Sequence, residues 1–380
     1  KRAEEQVRSL FIRRLLHFPP TGLTADDRFF LRFRETHPLE EKRPGRLYAG
    51  ICAPGRGPHT PIVRIWSRLL QTAFDVLQGA GGAVDPFWTL VGYFNAVREL
   101  AGARNLYRQD IPERITYIAG NRSRTLLDER ACELSSRTPS TDLPSILSLL
   151  NRRYPNAPDA LFTTSMFGTG VDVGRLSLMV VHGQPKTTSA YIQATGRVGR
   201  QLGALVVTFY RATRPRDLSH YEFFCGYHRT LDRFVEDLTV SPFSQGTLNR
   251  AAGPVSVGIL RNMRRCSIPW CREDSAVRMA ANRHAPEMSS IPQEFEKRAQ
   301  RQPNGRRPAA TTVHSFLEAR LDRWQAIARQ NTNLIYVEYF QPQHPVVLGD
   351  PRHEHAKLPV VYRNAPQSLR DVEETTGFET

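Results

Sequence analysis

Hydrophobic spacing changes character three times along the chain. In residues 1–18, KRAEEQVRSLFIRRLLHF, apolar and charged positions alternate at helical spacing, and Pro19, Pro20, Pro38 and Pro44 then interrupt regular structure. Residues 1–45 are therefore read as a basic helix and a loop. A short apolar run at 47–52 predicts a strand, which leads into the turn APGRG. After Pro58 and Pro61, the residues Ile62, Ile65, Trp66, Leu69, Leu70, Ala73, Phe74 and Leu77 form one stripe, so 46–87 holds a strand and a core-facing helix. GAGGAVDP, from Gly79, has no Lys-Ser or Lys-Thr after it and is read as a linker rather than a phosphate loop.

From 88 to 212 short apolar runs alternate with helical patterns. Strands are predicted at 89–94, up to Leu134, at 161–164, 178–182 and 205–210, with helices near 95–110, 142–151 and 187–197. This alternation is the pattern of a parallel sheet covered on both faces, a doubly wound α/β lobe whose ligands are expected outside the carboxyl ends of its strands. Beyond it, 219–235 reads as one aromatic helix within a helical extension, 213–271, with Tyr221, Phe224, Tyr227, Leu231 and Phe234 packing on the sheet. Residues 272–312 are rich in Arg, Pro and Asn and read as a polar loop. The final part, 313–380, holds a helix at 313–329, a strand at 334–340 and a proline-broken tail.

The 380 residues carry a formal charge of +15, yet only five of the 52 basic residues are lysines. Such a surplus suits a polyanion, although a general arginine bias would produce it as well. The five cysteines are scattered and odd in number, unlike a disulfide framework, and Cys266 and Cys271 lack the spacing of a zinc ribbon. His353 and His355 are read as surface histidines, and no metal site is expected. The opening run has no signal-peptide core and no apolar run reaches the length of a membrane span. The cytoplasm is the expected compartment, no membrane association is expected, and the chain reads as a piece of a longer protein.

Two segments carry candidate chemistry. In FTTSMFGTGVDVGRL, 162–176, a strand ends in small hydroxyl residues followed by Gly168, Gly170 and Asp172. Glycines there let the backbone approach a phosphate, and the carboxylate can accept from a ribose hydroxyl. In SAYIQATGRVGR, 189–200, Arg197 and Arg200 lie three apart near a helix end, so both guanidinium groups can reach one triphosphate. Gly196 and Gly199 would be poor choices for a purely structural helix.

Taken in order, TSMFGTGVD, the strand VVHGQP and YIQATGRVGR resemble motifs V and VI of superfamily 2 helicases. The resemblance implies a RecA-like lobe with a helical N-terminal and a mixed C-terminal accessory region. It implies that Gln193, Arg197 and Arg200 face ATP with Arg200 as arginine finger, that Gly168, Gly170, Asp172 and Gly196 line the nucleotide, and that Thr164, Asn95, Ser135 and Arg137 meet nucleic-acid phosphates. Phe94 stands with Asn95 at the position of motif IV.

No phosphate loop and no acidic box occur. The lysine and the Mg²⁺-binding carboxylate would then come from a first RecA-like lobe of the same protein, leaving this chain inactive alone. LYAGICAPGRG, GQPKTTSAYIQATGRVGR, RPRDLSHYEFFCGYHRTLDRFVEDLTVSPFS and NAPQSLRDVEE resemble the helicase subunit of bacterial DISARM anti-phage systems, although Asp237 stands where proline is expected. That likeness implies an ATP-dependent DNA translocase acting on single- or double-stranded DNA with a DISARM partner subunit. A RecQ-like repair helicase and a non-catalytic docking module are the competing readings.

Overall fold

The computed structural model describes residues 2–18, 27–32, 45–80, 85–139, 142–168, 172–201, 203–237, 240–266, 268–302, 310–338, 342–349, 353, 356–363 and 365. The chain divides into two compact units, one of 20–236 with 373–380 and one of 1–19 with 237–372.

In chain order the first element is helix α1 (Ala3–Phe11), which belongs to the second unit, where Gln302 Nε2 donates to the Ser9 carbonyl at 2.8 Å. The first unit opens with a two-residue hairpin, β1 (Asp27–Arg28) and β2 (Leu31–Arg32). Its main sheet is built from β3 (Arg46–Cys52), β4 (Leu90–Phe94), β5 (Ala131–Leu134), β6 (Ala160–Thr163), β7 (Leu178–His182) and β8 (Ala204–Tyr210). All neighbours are parallel, in the order β3-β8-β7-β4-β6-β5. The strand that precedes the alternating region thus joins the same sheet, at its edge beside β8.

β4, β6 and β7 are buried along their whole length, as strands covered on both faces must be. Over one face lie α2 (His59–Ala80), α3 (Val97–Arg108) and α4 (Asp110–Ala119), which bring Trp66, Leu70, Leu100, Tyr107 and Ile111 onto Leu90 and Phe94. Over the other lie α5 (Leu143–Asn151) and α6 (Thr188–Thr195), which bring Leu150, Tyr191 and Ala194 onto Val91 and Tyr93. Gly92 makes the first of these packings possible, because a Cβ there would lie 2.5 Å from the Trp66 ring.

The aromatic stretch at 219–235 is not one helix. It forms the end of α7 (Pro215–Glu222), then α8 (Phe224–Arg229) and a 3₁₀ turn, Leu231–Phe234. The break falls at Phe223, whose ring folds back over Gly226, where a Cβ would come within 2.4 Å of it. Tyr221 and Phe224 both meet Tyr210 of the sheet, so this region packs on the lobe as its apolar face implies.

In the second unit α9 (Gln245–Asn262) is followed by a 3₁₀ stretch at Glu273–Arg278, α10 (Met279–Asn282), α11 (Pro286–Gln300) and α12 (Ala310–Gln330). Much of the supposed polar loop at 272–312 is therefore helical. Met288, Ile291, Phe295 and Ala299 of α11 enter a core with Trp270 and Trp324, and Pro286 starts that helix where a missing N–H costs nothing. The strand expected at 334–340 is present, and the tail after it also contains structure. β9 (Ile335–Val337), β10 (Val346–Leu348) and β11 (Val360–Tyr362) form a small parallel sheet in the order β11-β10-β9. His353 is fully buried rather than at the surface, its backbone carbonyl accepting from Leu358 N–H at 3.0 Å and its Nε2 3.9 Å from Glu338. His355 lies outside the described residues, as do 81–84 of the glycine-rich linker.

Candidate functional site

β6 and β7 flank β4 and run parallel, so the residues between Thr163 and Leu178 must travel from the carboxyl end of the sheet to its amino end. That passage is pinned at both ends. Thr163 Oγ1 donates to the Leu134 carbonyl at 2.7 Å, and Met166 and Phe167 of the following 3₁₀ turn (Ser165–Gly168) are buried. Further on, the buried Arg175 reaches Asp85 at 3.3 Å, Thr89 Oγ1 at 3.0 Å and the Leu150 carbonyl at 3.2 Å. Val173 and Leu176 are buried as well, which leaves Asp172 projecting, its side chain 78% exposed.

α6 runs back against the strands, from the carboxyl end of β7 to the amino end of β8. Its first turn is capped twice. Thr187 Oγ1 accepts from Ala190 N–H at 3.2 Å, and the Glu236 carboxylate accepts from Thr188 N–H at 2.8 and 2.9 Å. Burial pushes the Glu236 pKa up, but the Thr188 and Ser189 N–H groups outweigh it and hold the carboxyl below its usual value. Tyr191, Ala194 and Thr195 face the sheet, while Gln193 points outward.

At the far end of α6 the two glycines have separate reasons. A Cβ on Gly196 would lie 2.8 Å from the Ile192 carbonyl, and Gly199 has φ +68°, a left-handed conformation that favours glycine. Val198 is buried and Gly199 N–H donates to the Leu176 carbonyl at 2.7 Å, fixing the turn to the passage that carries Asp172. Arg197 Nη2 donates to the Gly168 carbonyl at 2.6 Å, Arg200 pairs with Asp172, and Gln193 packs over Gly168. Five residues singled out in the sequence thus meet in one place: Gly168, Asp172, Gln193, Arg197 and Arg200. Gly196 lies in the same turn, and Gly170 is outside the described residues.

Two side chains that the sequence did not flag complete this arrangement. Arg46, the first residue of β3, donates through Nε to the Val198 carbonyl at 2.8 Å and through Nη2 to the Gly196 carbonyl at 3.2 Å. Tyr48 Oη donates to Thr195 Oγ1 at 3.3 Å. Arg46 pairs in register with Ala204, so the arginine cluster stands at the amino ends of β3 and β8, not outside the carboxyl ends as a doubly wound sheet suggests. The reason is direction: a crossover helix that leaves one parallel strand must finish where the next begins.

The other candidates stand at the carboxyl ends of β4, β5 and β6, and there each polar group already has a partner. Asn95 Nδ2 lies within hydrogen-bond distance of the His182, Gly183 and Gln184 carbonyls, at 3.1, 3.2 and 3.4 Å. Ser135 Oγ donates to Glu133 at 2.6 Å and accepts from Arg137 N–H at 3.2 Å. The exposed Arg137 guanidinium holds both Glu133 oxygens, at 2.9 and 3.0 Å. Thr164 is buried. Phe94 stacks on His182, whose Nε2 accepts from Trp66 Nε1 at 3.1 Å and whose pKa is pushed down to about 3 by burial and by Arg211. Near the same end a cleft of about 450 Å³ is lined by Arg98, Arg211 and Arg214 around Glu99.

A six-stranded parallel lobe with a glycine turn facing two helix-end arginines defines the C-terminal domain of a helicase, and residues 108–201 match the family described as helicase conserved C-terminal domain. The chain belongs to the superfamily 2 helicases. More particularly it is the helicase C-terminal region of a DrmA-like protein: it is 43% identical over 267 residues to the DISARM protein DrmA of Bacillus paralicheniformis. The match takes in 69% of this chain and spans 24% of that relative's length. Among solved structures, the DUF1998 helicase MrfA bound to DNA aligns with 68% of this chain and 31% of its own, at 15% identity and a TM-score of 0.42. Mycobacterium smegmatis helicase Lhr, bound to ssDNA and AMP-PNP, aligns with 79% and 36% at 13% identity and a TM-score of 0.41. Among the described residues no helix is long and apolar enough to cross a membrane.

Proposed function

We propose that this chain is the second motor lobe of an ATP-driven DNA translocase of a cytoplasmic DISARM-type defence system, and that it supplies arginines to a nucleotide held mainly by the first RecA-like lobe. The observation that carries the reading is the convergence of Arg197 and Arg200 on Gly168 and the solvent-exposed Asp172, at one end of the sheet. A packed or purely structural helix end has no need to present two guanidinium groups beside a projecting carboxylate.

The residues fit a triphosphate. The Arg200–Asp172 pair lies in solvent, where such pairs contribute little, so a phosphate can take the place of the carboxylate at small cost. Arg200 would then neutralise charge developing on the transferred phosphoryl group, and Arg197, tied to Gly168, would accompany it. Asp172, released, can accept from the ribose, with Gly170 and Gly196 allowing close approach and Gln193 beside them. Bound ATP would supply the phosphoryl group whose hydrolysis drives the cycle.

The same face does not fit magnesium. Asp172 is a single carboxylate beside these arginines, and no group of three metal-ligating side chains gathers among the described residues. We assign the ion to the first lobe, and with it the requirement that this chain be inactive alone. Thr164, Asn95, Ser135 and Arg137 would meet DNA phosphates at the opposite end of the sheet, single- or double-stranded, and a DISARM partner subunit would act with the whole protein.

The test is to compare the intact protein with this chain alone, measuring ATP turnover and the effect of a non-hydrolysable ATP analogue on DNA affinity. Turnover confined to the intact protein, with DNA affinity that responds to nucleotide, is expected. Robust turnover by the isolated chain would refute the division of labour. DNA binding by the intact protein that ATP analogues never alter would favour a docking module.

A further inference from the structure

We infer that Arg46 is a positioning residue for the arginine pair, holding the turn from which Arg197 and Arg200 project; this rests on the motor reading above. Carbonyls at and beyond a helix cap have no intrahelical partner, and those of Gly196, the cap of α6, and Val198, in the turn after it, are of this kind. Arg46 gives one N–H to each, at 3.2 and 2.8 Å. Between and beside those carbonyls lie the two residues whose orientation matters.

The turn needs such a hold. Gly196 and Gly199 bracket Arg197 and Val198, and glycine has the most backbone freedom to lose on ordering. Buried Val198 and the bond from Gly199 N–H to Leu176 fix the inner side of the turn. The peptide planes on its outer side are held by the Arg46 guanidinium, whose rigid fork spans two acceptors as a lysine ammonium does not. β-sheet register makes the contact reproducible, because Arg46 pairs with Ala204, four residues after Arg200. A charged residue on an edge strand also discourages edge pairing, but that role requires no aim at two carbonyls 150 and 152 residues away.

The experiment uses the intact protein and single-turnover ATP hydrolysis, with Arg46→Ala and Arg46→Lys each made alone and on an Arg200→Ala background. Arg46→Ala should slow hydrolysis by about 10²-fold, the cost of an ångström-scale misplacement, with KM for ATP and DNA affinity unchanged. Arg46→Lys, which keeps the charge and one bond, should fall between. On the Arg200→Ala background, removing Arg46 should cost much less, because of the pair it positions only Arg197, already tied to Gly168, remains. An unchanged rate in Arg46→Ala overturns the inference, and so does an equal slowing with and without Arg200. A fall in rate matched by falls in DNA affinity and thermal unfolding temperature in both Arg46 variants overturns it too, showing a purely structural contact. If Arg200→Ala itself leaves hydrolysis intact, the motor reading fails first and this inference with it.

Discussion

Arg197 reaches across from the end of α6 to the carbonyl of Gly168, 2.6 Å away, and so ties the turn after one helix to the turn after a strand on the other side of the lobe's central strand. The neighbouring Arg200 is held by Asp172 alone among the contacts described, and in solvent. One arginine is therefore an anchor and the other is the group free to change partner.

That division leads to the first prediction. In the intact protein Arg200→Ala should cut ATP turnover by about 10³- to 10⁵-fold while leaving DNA affinity in place, as the loss of an arginine finger does. Asp172→Asn, which frees Arg200 but weakens the hold on a ribose, should raise KM for ATP more than it lowers kcat. Steady-state kinetics separate the two, and unchanged turnover in Arg200→Ala removes that residue from the mechanism.

Backbone conformation gives the second. Gly199 has φ +68°, so Gly199→Val forces a β-branched residue into left-handed backbone at a cost of about 1–3 kcal/mol. Urea unfolding of the chain should show the loss, and ATP turnover in the intact protein should fall with it as the arginines are displaced. Wild-type stability in this variant would mean that the turn tolerates another conformation.

A buried ion pair makes a third prediction about stability alone. Arg124 and Asp159 meet at 2.8 Å with both side chains essentially inaccessible, and Arg124 also lies 3.5 Å over the Trp88 ring. Arg124→Met should destabilise the lobe by about 3–5 kcal/mol because it leaves the buried Asp159 carboxylate with only the more distant, partly exposed Arg130, 3.6 Å away. Adding Asp159→Asn should recover part of that loss. Denaturation of the single and double variants checks both statements.

His182 sets a pH dependence. Its folded pKa of about 3 lies below the unfolded value near 6.5, so the unfolded chain binds the extra proton first. The stability tied to a neutral His182 is complete above pH 6.5 and declines as pH falls toward 3, by about 1.4 kcal/mol per pH unit inside that window. His182→Gln, which can still accept from Trp66, should flatten the acid slope, as read by hydrogen exchange at β7. A slope identical to wild type would show that other groups govern acid lability.

Much of the lobe was legible in the sequence because the burial of its strands is two-sided. The runs ending at Phe94, Thr163, His182 and Tyr210 have no polar face to disguise them, and they appear in the structure within one or two residues of their expected ends. The second unit was harder. β9 falls within the strand expected at 334–340, but β10 and β11 are three residues each and follow Pro345 and Pro359, which read as breaks although Ile335 and Val346 N–H donate to their carbonyls. α11 did have a stripe, Met288, Ile291, Phe295 and Ala299, but Pro292 and the surrounding arginines masked it. The arginine pair was visible through its own spacing, whereas Arg46 and Glu236 were not, since contacts across 152 and 48 residues leave no periodic trace.

Glu236 also decides how short the motor lobe can be made. A fragment ended just after β8 would keep every strand and both arginines, yet α6 would lose the carboxylate that receives its first backbone N–H groups. The smallest excised lobe that keeps this cap on α6 must therefore run on through the aromatic turns to Glu236. Anyone trimming this protein for crystals or for fusion to another motor should cut after that glutamate, not before it.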